Sequence, residues 1–183
     1  MLRLPSRLQR LTPHCRNIEV KARIDRLSDV RARLASLPCR GEQQLSQTDT
    51  FFHVVRGRLK LRQFADGTGE LIFYVRPDQA GPKLSQYDRI PCQDALAVLR
   101  ALSTALGVRG VVKKRRHVVL VGNTRIHLDE VEGLGSFVEL EVVLRDSDSV
   151  SAGEQTAADL LRALGIPASS LISGAYLDLL EQR

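Results

Sequence analysis

Charged side chains recur at every second position in several segments of this chain. In the segment 18–24, Ile18-Glu19-Val20-Lys21-Ala22-Arg23-Ile24, apolar and charged residues alternate. Because successive side chains of a β-strand point to opposite faces, this segment would carry Glu19, Lys21 and Arg23 on one face. Four further segments repeat the pattern, with charged sets at Arg58, Lys60 and Arg62, at Lys114 and Arg116, at Arg125, His127 and Asp129, and at Glu139 and Glu141. The spacing predicts strands that each have an ionic face opposite an apolar one.

The two signs of charge are partly separated among these strands. Cations dominate the segments 57–63 and 112–117, whereas carboxylates lie on the first and last strands of the set. Guanidinium groups form paired hydrogen bonds with phosphate oxygens, and carboxylates are the hard ligands that Mg²⁺ and Mn²⁺ prefer. If the ionic faces point inward, the pattern predicts a site for a polyanion and a divalent metal. If they point to solvent, they belong to an ordinary half-buried sheet, and periodicity alone leaves both interpretations open.

The composition is that of one well-cored domain, with 183 residues of which 43% are hydrophobic. The net charge is +6, but Arg3, Arg7, Arg10 and Arg16 lie in an acid-free N-terminal segment, so the rest of the chain is nearly balanced. With aromatic residues at 4% and no tryptophan, nucleic acid is disfavoured as a partner. No apolar run approaches the roughly 20 residues that cross a bilayer, so we expect no membrane insertion.

Residues 1–16 form a predicted basic extension in front of a single domain at 17–183. The extension is rich in arginine and has leucines at intervals between the charged residues. This pattern is compatible with either an amphipathic transit peptide or a disordered tail. The three cysteines, Cys15, Cys39 and Cys92, have no C-x-x-C spacing, which argues against a disulfide framework or a zinc ribbon. We expect a cytoplasmic protein, with a mitochondrial location through the arginine-rich N-terminus as the alternative.

Periodicity and turn residues predict eight strands and four helices. The strands are expected at 17–24, 47–55, 57–63, 70–76, 83–90, 109–121, 124–131 and 136–145. The helices are expected at 28–37, 93–106, 153–164 and 174–181, and the residues after the first helix, 39–46, are predicted to be a polar loop. This order favours the α+β class, with an eight-stranded, mostly antiparallel β-barrel and helices packed outside it.

Several ordered motifs resemble those of the CYTH family of triphosphate tunnel proteins. The segment Asn17-Ile18-Glu19-Val20-Lys21 is similar to the family's E-x-E-x-K signature, with Asn17 in place of the first glutamate. Further similar segments are 47–52, 57–62, 114–116 and 126–141, and the last of these resembles the form found in class IV adenylate cyclases. The resemblance runs from about residue 17 to residue 180, and thiamine triphosphatases are among the relatives that it implies.

The resemblance implies a barrel that binds a triphosphate at its centre, with Mg²⁺ or Mn²⁺ at an acidic end. Lys21 is the motif lysine and the catalytic candidate. The residues expected to bind substrate are Arg58, Lys60, Arg62, Arg76, Lys83, Lys114, Arg116 and Arg125. The residues expected to bind the metal are Glu19, Asp129, Glu139 and Glu141. Val75 aligns with a lysine of the family, and on strict alternation Arg76 does not share its face.

The resemblance also implies a choice of reactions. A cyclase would convert ATP to cyclic AMP and pyrophosphate, whereas a triphosphatase would hydrolyse inorganic, nucleoside or thiamine triphosphate. Phe51 and Phe52 stand where relatives similar to thiamine triphosphatase carry a tyrosine, which weakens the thiamine interpretation. Asn17 is a neutral ligand, so the metal site has one negative charge fewer than the family's signature would give. A binding module for phosphorylated compounds that has lost turnover is therefore a third alternative. His127 is a further candidate for the site, and a structural role is its alternative. The sequence is also compatible with a homodimer.

Overall fold

The computed structural model describes residues 14–183, so most of the predicted extension at 1–16 lies outside the described residues. Within this range the chain forms nine strands and four α-helices. The strands are β1 (Cys15–Ile24), β2 (Cys39–Phe52), β3 (Arg58–Gln63), β4 (Gly69–Val75), β5 (Lys83–Cys92), β6 (Val108–Val121), β7 (Thr124–Val131), β8 (Gly135–Leu144) and β9 (Leu171–Ile172). The helices are α1 (Leu27–Leu34), α2 (Ala95–Leu106), α3 (Val150–Ala163) and α4 (Tyr176–Glu181). Across 14–183, no helix is long and apolar enough to cross a membrane.

The strands form one antiparallel sheet in the order β5-β4-β3-β2-β6-β7-β8-β1-β9. β1 also pairs with β5, from Cys15 opposite Tyr87 to Glu19 opposite Lys83, so the sheet is joined back on itself. β9 pairs with β1 further along, where Lys21 lies opposite Ile172. The strands β1 to β8 therefore form a closed ring in this spatial order. The prediction of an antiparallel α+β fold is confirmed, with nine strands in the sheet rather than eight.

The apolar faces of the strands lie on the outside of the ring, under the helices. Ile18 and Val20 of β1 pack with Leu140 of β8 in a cluster that also contains side chains of α1 and α3. A Cβ atom at Gly153 of α3 would come within 2.7 Å of Ile18 Cγ1, so this helix lies directly on β1. Leu61 of β3 is likewise buried against α2. This packing turns the intervening residues of each strand toward the inside of the ring.

Two segments differ from the sequence-based prediction. Residues 39–46 are the first part of β2 rather than a loop, and Cys39 pairs with Val121 of β6. The segment has no apolar alternation because its side chains are mostly exposed. Gly41 has a φ of 71° at the point where the pairing register shifts, which identifies a β-bulge. The second difference is β9, whose two residues are too short to show a period.

Candidate functional site

The inside of the ring contains a charged cavity of about 740 Å³. Its lining includes eight cationic and six acidic side chains, so cations exceed carboxylates by two. Of the predicted site residues, the lining includes Glu19, Lys21, Lys60, Arg62, Arg76, Lys114, Arg116, Arg125, Glu139 and Glu141. The ionic faces therefore point into the ring rather than to solvent.

One group of these side chains, the Asp49 cluster, consists of Asp49, Lys60, Arg62 and Lys114. Asp49 of β2 lies directly opposite Arg62 of β3. The guanidinium of Arg62 donates to Asp49 through Nε at 2.8 Å and through Nη2 at 3.1 Å. Lys60 Nζ donates to the same carboxylate at 2.9 Å, and Lys114 Nζ donates to it at 2.6 Å. A single carboxylate therefore holds one buried cation, Lys114, and two half-buried cations, Lys60 and Arg62, together.

Burial and charge act in opposite directions on the titration of this cluster. Burial alone would raise the pKa of Asp49, but its three cationic neighbours outweigh burial and hold that pKa well below its usual range. Burial lowers the pKa of Lys114 to about 7. Asp49 opposes this shift, but the positive charges of Arg62 and Arg116 offset the effect of Asp49. Protonated Lys114 gives the cluster two positive charges in excess, which an anionic ligand can neutralise.

A second group, the Glu139 cluster, lies across β1, β6, β7 and β8. It consists of Lys21, Arg116, Arg125, His127, Asp129, Glu139 and Glu141. Pairing of β7 with β8 places His127 opposite Glu139 and Arg125 opposite Glu141, and pairing of β1 with β8 places Lys21 opposite Glu139. The cluster combines three cations, three carboxylates and an imidazole, so its fixed charges balance.

Short contacts tie each carboxylate of the Glu139 cluster to a cation. Glu139 lies 3.1 Å from Lys21 Nζ and 2.7 Å from Arg116 Nη2. Glu141 lies 2.7 Å from Arg125 Nη2. Burial alone would raise the pKa of Glu139, but Lys21, His127 and Arg116 hold that pKa well below its usual range. A ligand that draws these cations away would leave anionic oxygens free to bind a metal.

Arg76 follows β4 and continues the inward face of that strand. Its Nε lies 2.9 Å from Glu19 Oε1, and both residues line the cavity with Tyr74, two positions before Arg76. Arg76 therefore occupies an inward position, whereas the family resemblance had placed Val75 at the position of the family's lysine. Burial raises the pKa of Glu19, although Arg76 opposes the shift.

The residues present fit a divalent metal at one place in the cavity. Ligand atoms of His127, Glu139 and Glu141 all lie within 4.8 Å of one another. Asn17 is only 3% exposed, lines the same cavity, and its Oδ1 has no hydrogen-bond partner among the described residues. Carboxylate and amide oxygens are ligands that suit Mg²⁺ and Mn²⁺. Glu19 lies opposite Glu141 on the neighbouring strand and is a further carboxylate at this wall.

Two predicted substrate ligands lie beside the cavity rather than in its lining. Arg58 Nη2 donates to Asp78 at 2.7 Å and to Asp178 of α4 at 2.8 Å. Lys83 is buried and donates from Nζ to the backbone carbonyl of Gln79 at 2.9 Å. Arg58 thus holds both the 77–82 loop and α4 against the ring, and Lys83 holds the same loop.

Tyr176 of α4 is a lining residue that sequence reasoning did not find. Its hydroxyl donates to Asp129 at 2.7 Å, and Lys21 Nζ lies 3.9 Å from the centre of its ring. Asp129 also accepts both Nε and Nη2 of Arg116, at 2.7 and 2.6 Å, and it is fully buried. Asp129, a predicted metal ligand, therefore accepts three hydrogen bonds from two side chains and lies outside the group formed by His127 and the two glutamates.

Comparisons with known proteins agree with this architecture. The model of the CYTH domain matches residues 16–176. The chain is 28% identical over 169 residues to the adenylate cyclase CyaB of Aeromonas hydrophila, covering 86% of each protein. The solved structure of a Pyrococcus horikoshii protein matches with a TM-score of 0.80 at 23% identity. The match covers 98% of that protein and 89% of this chain. A Pyrococcus furiosus protein has a TM-score of 0.78 at 21% identity, with 89% of this chain and 99% of that one covered, so both share the fold. The chain belongs to the CYTH family.

Proposed function

We propose that this protein binds a triphosphate together with a divalent metal inside the ring and converts it chemically. The observation that carries the proposal is the separation of charge within one cavity. The Asp49 cluster has two cations in excess of its carboxylate, and the Glu139 cluster offers carboxylates beside them. The volume of about 740 Å³ lies within the range of about 300–1,000 Å³ typical of small-molecule sites.

The Asp49 cluster is the proposed phosphate site. Lys60, Arg62 and Lys114 reach one point from three different strands, so they can contact several phosphate oxygens at once. Arg62 would supply a planar pair of donors, and the two lysines would supply point charges. An anion can bind these cations while they keep their contacts with Asp49, because the cluster has two positive charges that Asp49 does not neutralise.

Glu139, Glu141 and Glu19 would hold the metal, which would neutralise phosphate charge and polarise phosphate oxygens when bound. Lys21 lies between Glu139 and the face of Tyr176, and it is the proposed catalytic cation. Asp129 is proposed to anchor Arg116 rather than to bind the metal, because it is fully buried and belongs neither to the cavity lining nor to the group of His127 with the two glutamates. Phosphoryl chemistry depends mainly on such positioning and charge compensation.

A cyclase reaction is the first candidate, because of the match to the CYTH family and the similarity to a protein named adenylate cyclase. In that reaction the ribose 3′-hydroxyl loses its proton to solvent and its oxygen attacks the α-phosphorus of ATP. The bond from that phosphorus to the oxygen that bridges to the β-phosphate breaks, and pyrophosphate leaves with that oxygen. In a triphosphatase, water would attack the terminal phosphorus instead. The cavity lining favours neither nucleophile, so inorganic triphosphate and thiamine triphosphate stay alternative substrates.

The test is an assay of products with three substrates. Purified protein is incubated with ATP, inorganic triphosphate or thiamine triphosphate, with Mg²⁺ or Mn²⁺. Cyclic AMP with an equal amount of pyrophosphate supports the cyclase, and orthophosphate supports the triphosphatase. Tight binding without products supports the binding module, which the neutral Asn17 favours. Failure to bind any of the three triphosphates contradicts the whole proposal. A homodimer and a cytoplasmic location stay predictions from the sequence.

A further inference from the structure

We propose that His127 is a direct ligand of the metal, so that the centre combines an imidazole nitrogen with the carboxylates of Glu139 and Glu141. Such a centre would favour Mn²⁺ over Mg²⁺. The inference rests on the proposed function only in assuming that a divalent metal binds in this cavity.

The geometry places the imidazole where a ligand would be needed. His127 Nδ1 lies 3.3 Å from Glu139 Oε2 and 3.9 Å from Glu141 Oε1. Two donors at right angles around one ion, each at the roughly 2.1 Å typical of Mg²⁺, would lie about 3 Å apart. Small side-chain adjustments would therefore bring the three donors around a single ion. The backbone supports this arrangement, because His127 lies directly opposite Glu139 in the pairing of β7 with β8.

An independent observation points to a ligand at the same wall of the cavity. Asn17 precedes Glu19 by two residues on β1, so its side chain lies on the same inward face. It is 3% exposed, and its Oδ1 accepts no hydrogen bond from any described residue. A buried carbonyl oxygen without a donor is costly, and a cation in the cavity would satisfy it.

The chemistry of this donor set differs from that of an all-carboxylate site. His127 and Asn17 are both neutral donors, so they add ligands without adding negative charge. Magnesium prefers oxygen ligands and keeps much of its water, whereas Mn²⁺, although the weakest binder of the first-row transition series, accepts an imidazole nitrogen more readily than Mg²⁺ does. The alternative role of His127 is structural, as a hydrogen-bond partner of Glu139. In that case its nitrogen would never contact the metal.

Pulsed electron paramagnetic resonance of bound Mn²⁺ distinguishes these roles without an activity assay. The protein, free of any histidine tag, is loaded with Mn²⁺ alone and with Mn²⁺ plus inorganic triphosphate. We expect nitrogen-14 modulation from a coordinated imidazole in both samples. Replacing the histidines with nitrogen-15 histidine should change this modulation to the nitrogen-15 pattern, which requires no mutation. His127→Gln should abolish it.

His14→Gln is the matched control, because His14 is the exposed imidazole that lies beside a carboxylate, 3.2 Å from Asp88. This variant should keep the full modulation. Modulation that persists in His127→Gln, bound Mn²⁺ without nitrogen coupling, or an absence of Mn²⁺ binding would each overturn the inference. Phosphorus-31 coupling in the triphosphate sample and calorimetric triphosphate binding test the proposed function separately, so the two failures are distinguishable.

Metal preference provides a second readout. In calorimetric titrations, His127→Gln should weaken Mn²⁺ binding by about tenfold or more, with a much smaller change for Mg²⁺. Equal losses for both metals would mean that the substitution disturbs the site without removing a nitrogen ligand, and this would contradict the inference.

Discussion

The Asp49 cluster and the Glu139 cluster lie on the same ring and are similarly buried, yet their charges are arranged differently. In the Asp49 cluster three cations share one carboxylate. In the Glu139 cluster three cations face three carboxylates, and an imidazole lies among them. The first cluster can therefore accept an anion without releasing a partner, whereas the second must exchange partners to accept either an anion or a metal.

This difference indicates how one cavity can bind two ligands of opposite charge. A polyphosphate that attracts Arg116, Arg125 or Lys21 would release carboxylate oxygens, and a metal could then occupy them. The same exchange works in reverse, because a metal held by Glu139 and Glu141 would release the cations for phosphate. The predictions below change the charge balance of one cluster at a time.

The largest expected effect is the loss of the central carboxylate of the Asp49 cluster. Asp49→Asn leaves the buried Lys114 and the half-buried Lys60 and Arg62 without their counter-ion, and breaking a buried ion pair typically costs about 3–5 kcal/mol of unfolding free energy. Urea denaturation without ligand measures it, and inorganic triphosphate should recover part of the loss. Glu130→Gln is the control, because the ion pair of Glu130 with Arg115 is exposed and should contribute under about 1 kcal/mol. Equal effects of the two substitutions would mean that the buried charges do not depend on Asp49.

The next effect is coupling between the two ligands. If carboxylates are released when phosphate binds, Mn²⁺ should bind more tightly in the presence of inorganic triphosphate. Coupling of about 1–3 kcal/mol, or roughly 5–150-fold, is typical of linked sites. Calorimetry measures both orders of addition, and the two enhancement factors must agree. Independent binding would show that the Glu139 cluster does not exchange its partners.

The pH dependence of triphosphate binding should reflect Lys114. Burial lowers its pKa to about 7, and the charged groups that face it are Asp49, Lys60, Arg62 and Arg116. Phosphate favours the protonated lysine, so metal-free affinity should fall by about tenfold between pH 6 and pH 8, which corresponds to one charge-assisted hydrogen bond. Calorimetry on Lys114→Met provides the control, because this variant retains the titration of the ligand and of the other groups, such as Lys83, whose pKa burial lowers to about 8. A difference between the two proteins that does not change with pH would contradict this prediction.

The same group has an effect of opposite sign on the unligated protein. Because the pKa of Lys114 is lower in the folded state than its usual 10.5, the unfolded chain binds more protons between about pH 7 and pH 10. The stability of the native protein relative to Lys114→Met should therefore rise with pH across that window. Urea denaturation at several pH values measures this difference, and a flat profile would mean that Lys114 stays protonated.

The smallest expected effect is that of Asn17→Glu. A fourth carboxylate at the wall of Glu19 and Glu141 should increase Mn²⁺ affinity by about threefold, because added ligand charge strengthens binding of hard cations. It should also lower the melting temperature in metal-free buffer through repulsion. Calorimetry and thermal denaturation with and without Mn²⁺ measure the two effects. If neither changes, the side chain of Asn17 does not reach the metal.

Much of this site could be predicted because alternation alone shows which residues share a strand face. It placed Lys60 with Arg62 and Glu139 with Glu141, but it could not decide between inside and outside. That choice depends on which face the helices cover, and only the packing of α3 on β1 shows it. From the sequence, only the family resemblance indicated that the ionic faces point inward.

The missed features depend on contacts between distant parts of the chain. Asp49 was noted within a motif, but its role depends on Lys114, which is 65 positions away in the sequence. Tyr176 reaches Lys21 and Asp129 only because α4 packs against the ring. Arg76 was predicted as a substrate ligand on the face opposite Val75, and it lines the cavity because the alternation from Tyr74 continues beyond the end of β4. Lys83 shows the converse, because a buried lysine can serve backbone carbonyls rather than a ligand.

The central claim is that the inward cations bind a triphosphate, and two adjacent lysines of β6 test it most directly. Lys114 points into the cavity, whereas Lys113 is exposed on the opposite face of the same strand. Inorganic triphosphate is titrated into the native protein, Lys114→Met and Lys113→Met in the presence of Mn²⁺. We predict one-to-one binding that Lys114→Met weakens by about tenfold or more and that Lys113→Met leaves nearly unchanged. Equal weakening by both substitutions, or no binding by the native protein, would contradict the account.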